Sequence, residues 1–169
     1  NTNTRSWEIG FTTNATNPPT ILTSPYAYFR SNPGTNPVNF NTDLISPPFD
    51  FSSLSSVALK FKLHYDSDNT WSSIATLSYT IDNGITWNSI STYTTDQNNT
   101  SVTFNLPSLA GQSNVKFKWN YFDDAIGSYM WGIDDVELFD NGNSWTGVTS
   151  TDWFTVTNWA KGSLPTNTE

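Results

Sequence analysis

The sequence predicts an all-β protein, an antiparallel β-sandwich, on three observations. The residue mix is rich in Thr, Ser, Asn and aromatics and poor in Lys, Glu, Ala and Leu, which pleated surfaces and tight turns select and helices do not. Several stretches alternate apolar and polar residues with a period of two, and no window shows a convincing 3.6-residue repeat. About eight such stretches recur at the short spacing of a sandwich, separated by Gly, Pro and Asn turn signals.

Taken in order, residues 6–11 form a first short strand, followed by a Pro/Asn/Thr-rich, loop-dominated stretch to Asp43 in which only residues 26–30 have strand character. Residues 44–51 lead into a strand over 57–65. There Val57, Leu59, Phe61, Leu63 and Tyr65 share a core face, and Ala58, Lys60, Lys62 and His64 share a wet one. Residues 75–81 and 86–93 make a hairpin across Asp82-Asn83-Gly84, a composition suited to positive φ at the turn. After a polar DQNNT loop come strands over 101–106, 114–122 and 131–139. In the first of the last two, Val115, Phe117, Trp119 and Tyr121 oppose Lys116, Lys118 and Asn120; in the other, WGIDDVELF, Asp134 and Asp135 interrupt an apolar strand. The sandwich is expected to occupy residues 1–140. Residues 141–169 read as a Trp-rich linker or the start of a following β module, whose Trp145, Trp153 and Trp159 must bury on the sandwich, on each other or on a further domain.

A formal net charge of -8 from scattered acids gives no footprint for nucleic acid or anionic lipid and points to cations as ionic partners. The absence of cysteine removes thiolate chemistry and leaves the compartment open. No run approaches the ~18 apolar residues of a membrane span, so no membrane insertion is expected. The polar sequence at both ends reads as connection within a longer protein, and the piece is expected to be monomeric.

Thr80 to Trp87, TIDNGITW, matches the Asp-box pattern found in the blades of sialidase-like propellers. Its expected role is structural: Asp82 caps the turn, Gly84 supplies positive φ and Trp87 packs beneath the hairpin. A sialidase is excluded by inventory, since Arg5 and Arg30 are the only arginines and its substrate carboxylate needs a cluster of three. His64, the single histidine, has no serine in a nucleophile setting to serve. Glu8, Glu137, Asp123, Asp124, Asp134 and Asp135 are the carboxylates open to glycosidase chemistry. Adjacent residues on a strand face opposite ways, however, so Asp134 with Asp135 makes a poor acid/base pair unless a bulge turns one of them. A hard cation such as calcium suits Asn- and Asp-rich loops better, and the alternative is that these side chains accept backbone N–H bonds from a neighbouring loop. Asp66 and Asp68 in YDSDN open like an EF-hand loop, without its glycine and distal glutamate. Tyr26, Tyr28, Trp71 and Tyr129, in expected loops beside Asp123 and Asp124, form a candidate sugar-stacking platform; the alternative is that they bury as satellite clusters.

SPPFDFSSL at residues 46–54, the TIDNGITW hairpin, NVKFKWNYF and WGIDDVEL together resemble the MAM-like and cleaved-adhesin modules of bacterial surface and secreted proteins. The resemblance covers about residues 7–139. It implies a jelly-roll sandwich of the galactose-binding or concanavalin-like kind, and structural calcium with Asn41 or Asp43 together with Asp134 and Asp135 as ligands. The chain departs from the family pattern by starting after its usual first strand, at Ser6 to Gly10. The tail, SWTGVTSTDWFTVTNWAKGSLPT, resembles the opening of a Trp-rich adhesin repeat. The expectation is therefore a noncatalytic binding or adhesion module of a secreted or cell-surface bacterial protein, contacting glycan or neighbouring domains. The alternatives are a carbohydrate-binding module serving a polysaccharide-degrading enzyme and a passive spacer of a surface filament.

Overall fold

The protein was analysed as a computed structural model, which describes residues 6–10, 18–23, 25–31, 40–67, 73–123, 129–140, 145–159 and 163–164. Nine strands run in chain order: β1 (Glu8–Gly10), β2 (Tyr26–Arg30), β3 (Phe40–Ile45), β4 (Ala58–Asp66), β5 (Ile74–Thr80), β6 (Asn88–Tyr93), β7 (Gln97–Asn105), β8 (Lys116–Asp123) and β9 (Met130–Phe139). They form two antiparallel sheets, ordered β1-β2-β9-β4-β7 and β3-β8-β5-β6. Among the described residues the only helical pieces are 3-10 turns at Pro107–Leu109 and Val156–Asn158, and no helix is long and apolar enough to cross a membrane.

The alternation read from the sequence is what packs the sheets together. Leu59, Phe61, Leu63 and Tyr65 on β4 and Phe117, Trp119 and Tyr121 on β8 are all buried in one core. Phe61 meets Trp119 edge-on at 5.8 Å, and Tyr65 meets Tyr121 at 6.4 Å. Burying an aromatic ring removes roughly 150–250 Å² from water, so a core this rich in rings needs no disulfide staple.

Three departures from the sequence reading have local causes. β3 begins at Phe40, inside the stretch expected to be loop, because Asn41 and Asp43 are the outward positions of an edge strand and hide its apolar half. β7 absorbs part of the DQNNT segment for the same reason, being the other sheet's edge. His64, expected on a wet face, is fully buried, because chain upstream of β2 folds over the outside of its sheet.

That cover is a strap, residues 20–23. At one end the Asn99 side-chain oxygen on β7 accepts the Thr20 and Ile21 amides at 2.7 and 3.1 Å. At the other the Asp134 carboxylate on β9 accepts the Thr23 amide at 3.2 Å. Leu22, Tyr26 and Met130 form a second small core beneath it. Gly132, level with His64 in the ladder, gives the strap room, since a Cβ there would stand 2.7 Å from Leu22 Cδ1.

The hairpin follows its motif closely. Thr80 Oγ1 accepts the Gly84 amide at 3.0 Å and donates to Asp82, whose carboxylate accepts the Thr86 amide at 2.9 Å. Asn83 and Gly84 have φ of 62° and 95°, and the Trp87 ring lies 3.6 Å from where a Gly84 Cβ would be. Of the three burial options for the tail tryptophans, the described residues show them packed on one another. Trp145 stacks on Trp153, and Trp159 stands edge-on to both at 5.2 and 4.3 Å, while buried Asn158 bonds backbone at Thr146, Thr149, Ser150 and Asp152.

Candidate functional site

Antiparallel topology brings the ends of β2, β4, β6 and β8 and the starts of β3, β5, β7 and β9 to one end of the sandwich. The segments carrying Trp71, Asp124 and Tyr129 therefore connect strands at that end, although Trp71, Asp124 and Asp68 themselves lie outside the described residues.

The described strand ends there carry a buried polar network. Tyr121 Oη donates to the buried Asp123 carboxylate at 3.2 Å and lies 3.5 Å from Ser31 Oγ. Ser31 in turn exchanges backbone and side-chain bonds with Tyr129, its Oγ accepting the Tyr129 amide at 3.0 Å. Tyr65 Oη donates to Ser73 at 3.2 Å, and Asp96 accepts both the amide and hydroxyl of Ser67 at 2.8 and 3.1 Å. Burial pushes the Tyr65 phenol up to about 12, with the Ser73 bond working against it. Tyr121 is driven still further in the same direction by burial and then by the charge of Asp123. Partial burial, then the neighbouring charge of Asp96, raises the Asp66 carboxyl. These phenols stay protonated at neutral pH and serve as hydrogen-bond donors.

Of the expected aromatic platform, the described members Tyr26, Tyr28 and Tyr129 do not share one surface. Tyr26 and Tyr28 sit on β2 instead of in a loop. Tyr26 is 3% exposed and packs with Leu22 and Met130 on the outer face, so it offers no ring to a sugar. Tyr28, two residues on, shares that face and donates to Glu8 at 2.8 Å; that bond is the main cause of its raised phenol pKa. Tyr129 instead packs, half-buried, against the central core.

The four expected cation ligands also divide. Asn41 and Asp43 lie on the outer face of the β3 sheet, where both accept from Asn120 Nδ2 at 2.7 Å. Asp134 and Asp135 lie on the outer face of the other sheet. Packed sheets stand ~10 Å apart, while calcium binds its oxygens at ~2.3–2.6 Å, so no single ion reaches both pairs. No group of three or more His, Asp or Glu side chains suited to a metal occurs among the described residues.

The acidic pair has the bulge that strand alternation would require for the two to share a face. Lys60 pairs with Glu137 and Lys62 with Asp134, so Asp135 and Val136 together oppose Phe61, and Asp135 adopts a φ of 50°. The bulge turns both carboxylates toward Lys62. Lys62 Nζ lies 2.6 Å from Asp135 Oδ2, and this bond is the main cause of its raised pKa. Asp134 receives the Thr23 and Asp135 amides. The pair holds the strap and the bulge. A strap anchored from far along the chain leaves no local sequence signal, although acceptance of backbone N–H by these aspartates was one of the two expectations.

The Reelin subrepeat B family model matches residues 37–138. No curated protein matches the sequence. Among solved structures, the K1 cleaved-adhesin domain of Lys-gingipain from Porphyromonas gingivalis W83 is similar over 83% of this chain and 86% of its own, with a TM-score of 0.53 and 19% identity. TmCBM61, solved in complex with β-1,4-galactotriose, is similar over 80% of this chain and 83% of its own, with a TM-score of 0.50 and 11% identity. At such identities the likeness is one of fold, and it gives the expected cleaved-adhesin jelly roll its counterpart. Because the matched segment takes in β3 through nearly all of β9, well over half of the sequence, the chain belongs to the Reelin subrepeat B family.

Proposed function

We infer that this chain is a noncatalytic binding module of a secreted or cell-surface multidomain protein, presenting the loop end of its sandwich to a glycan. The observation that carries the reading is the construction of that end. At that end lies a buried floor in which Tyr65 is bonded to Ser73, Tyr121 to Asp123, Ser67 to Asp96 and Ser31 to Tyr129. Such a floor holds the strand ends in place, and its polar groups are already engaged in hydrogen bonds. General acid/base and nucleophilic chemistry need groups poised for proton transfer, whereas His64 is buried beneath the strap and Asp134 and Asp135 are engaged by Thr23 and Lys62. The shared fold with a galactotriose-bound module and an adhesin domain supports a binding role.

The test is a glycan array probed with the intact chain and with Trp71→Ala and Tyr129→Ala, alongside glycosidase and peptidase panels. Binding weakened at least tenfold by either change, with no turnover, is the expected result. Hits indifferent to both substitutions would move the site elsewhere, and turnover of any substrate would overturn the noncatalytic reading.

A further inference from the structure

Where β7 begins, residues 96–101 read Asp-Gln-Asn-Asn-Thr-Ser. Two overlapping Asn-x-Ser/Thr triplets lie there, one on Asn98 with Thr100 and one on Asn99 with Ser101. Such a triplet is the acceptor signal for N-linked glycan, its hydroxyl two residues on being the group that orients the asparagine for transfer. Only Asn98 also has an acidic residue two positions before it, Asp96, which completes the stricter five-residue form of the signal. A third triplet, at 14–16, has threonine in that place and lies outside the described residues.

The structure separates the two overlapping candidates. Gln97 pairs with Tyr65 and Thr100 with Leu63, so Asn98 and Asn99 together oppose His64 in a bulge. Asn99 is half-buried there at a φ of 52°, and its carboxamide oxygen holds the Thr20 and Ile21 amides of the strap. Transfer needs the carboxamide to twist until its nitrogen becomes nucleophilic, and at Asn99 that twist would give up both bonds. Asn98 is exposed, and the Thr100 hydroxyl donates to its backbone oxygen at 3.4 Å. A second observation concerns the strand itself. β7 ends its sheet among the described residues, and Gln97–Asn105 holds no charged residue and no proline, two of the usual guards of an edge strand.

We propose that Asn98 is an N-glycosylation site whose glycan shields the β7 edge. The donor is a polyprenyl-diphosphate-linked oligosaccharide, presented by an oligosaccharyltransferase during export. The Asn98 carboxamide nitrogen attacks the anomeric carbon of the donor. A C–N bond forms as the C–O bond to diphosphate breaks, the nitrogen gives one proton to a base of the transferase, and polyprenyl diphosphate leaves. No group is oxidised or reduced. The attached glycan stands at the exposed bulge and keeps a foreign strand from approaching an edge that has no charge of its own to repel one. The strap is undisturbed, because Asn99 keeps its carboxamide for Thr20 and Ile21. This assignment rests on the secreted or cell-surface reading and is independent of any glycan that the loop end binds.

The experiment recovers the native protein from fractionated source cells and fragments the chymotryptic peptide carrying residue 98 by electron transfer, which keeps a glycan on its own side chain. The expected result is a glycan mass on Asn98, and none on Asn99, in the surface or secreted fraction. Expressed in the same cells, Thr100→Ala, which breaks the Asn98 triplet alone, should lose the glycan. Ser101→Ala, which breaks the Asn99 triplet alone, should keep it. Asn98→Gln should leave glycan-array hits unchanged and self-associate at lower concentration than the glycosylated chain. A bare Asn98 on exported protein, or a glycan on Asn99 in its place, would overturn the site. Equal association of Asn98→Gln and the glycosylated chain would overturn the shielding role. Protein confined to the cytoplasm would overturn the secreted reading and this assignment with it, a result distinct from exported protein that carries no glycan.

Discussion

Asp82 shows how one side chain sets the geometry of a hairpin. Its carboxylate accepts from Thr80 and Thr86, and these bonds hold its pKa well below the usual carboxylate range. A carboxyl depressed in the folded state contributes stability that is fully present above the unfolded value of about 3.9 and is lost as the pH falls toward the folded value. Melting followed from pH 7 to pH 2 should show an acid-side loss that is shallower in Asp82→Asn, with the variant less stable at pH 7. Parallel curves would mean that Asp82 bears no linkage to folding. Thr80 and Trp87 belong to the same local unit, and so the motif could be read from eight consecutive letters. His64 is the contrary case. Its neighbours Lys62 and Asp66 suggested a wet face, and its burial comes from a segment with no periodicity of its own.

Among elements, the strap is tied at both ends by side chains of other strands. Asn99 holds it from a φ of 52°, a conformation that asparagine tolerates and alanine does not. Asn99→Ala should therefore lose two hydrogen bonds and add backbone strain, a cost of about 1–3 kcal/mol. Hydrogen exchange should locate the damage, with amides at 20–23 losing protection while the β4 and β8 core keeps it. Uniform loss across both sheets would show that the strap is not a separable unit. Strand existence was legible wherever both faces declared themselves, as in β4 and β8. It was not legible at the edges, where Asn41, Asp43 and the polar start of β7 carry strand geometry under loop composition.

At the scale of the whole molecule, each sheet carries an ion pair on its outer face. Lys62 answers Asp135 on one outer face, and Lys118 lies 3.8 Å from Asp43 on the other. Since the acidic pair already has a cation and backbone amides, chelator should leave the melting temperature unchanged within about 1 °C, by the usual relation of ΔΔG to Tm. A calcium-dependent rise of several degrees would instead reveal a bound ion with its remaining ligands in the loops. The sandwich class was legible because composition, alternation and turn spacing all reported it. The candidate site was only partly so: chain order puts Asp123 and Tyr129 at the loop end, but which face Tyr26 or Asp43 occupies depends on register.

The strap also has a mechanical meaning. Ladder bonds between strands can open one after another, like teeth of a zipper, under a pull at one end. Residues 20–23 instead lie crosswise and tie β7 to β9 over the top of β4. A load that would peel β4 away must stretch the ties at Asn99 and Asp134 together. Under such a load the module would yield first at this cross-tie, and the force it withstands would be tuned by the side chains of Asn99 and Asp134.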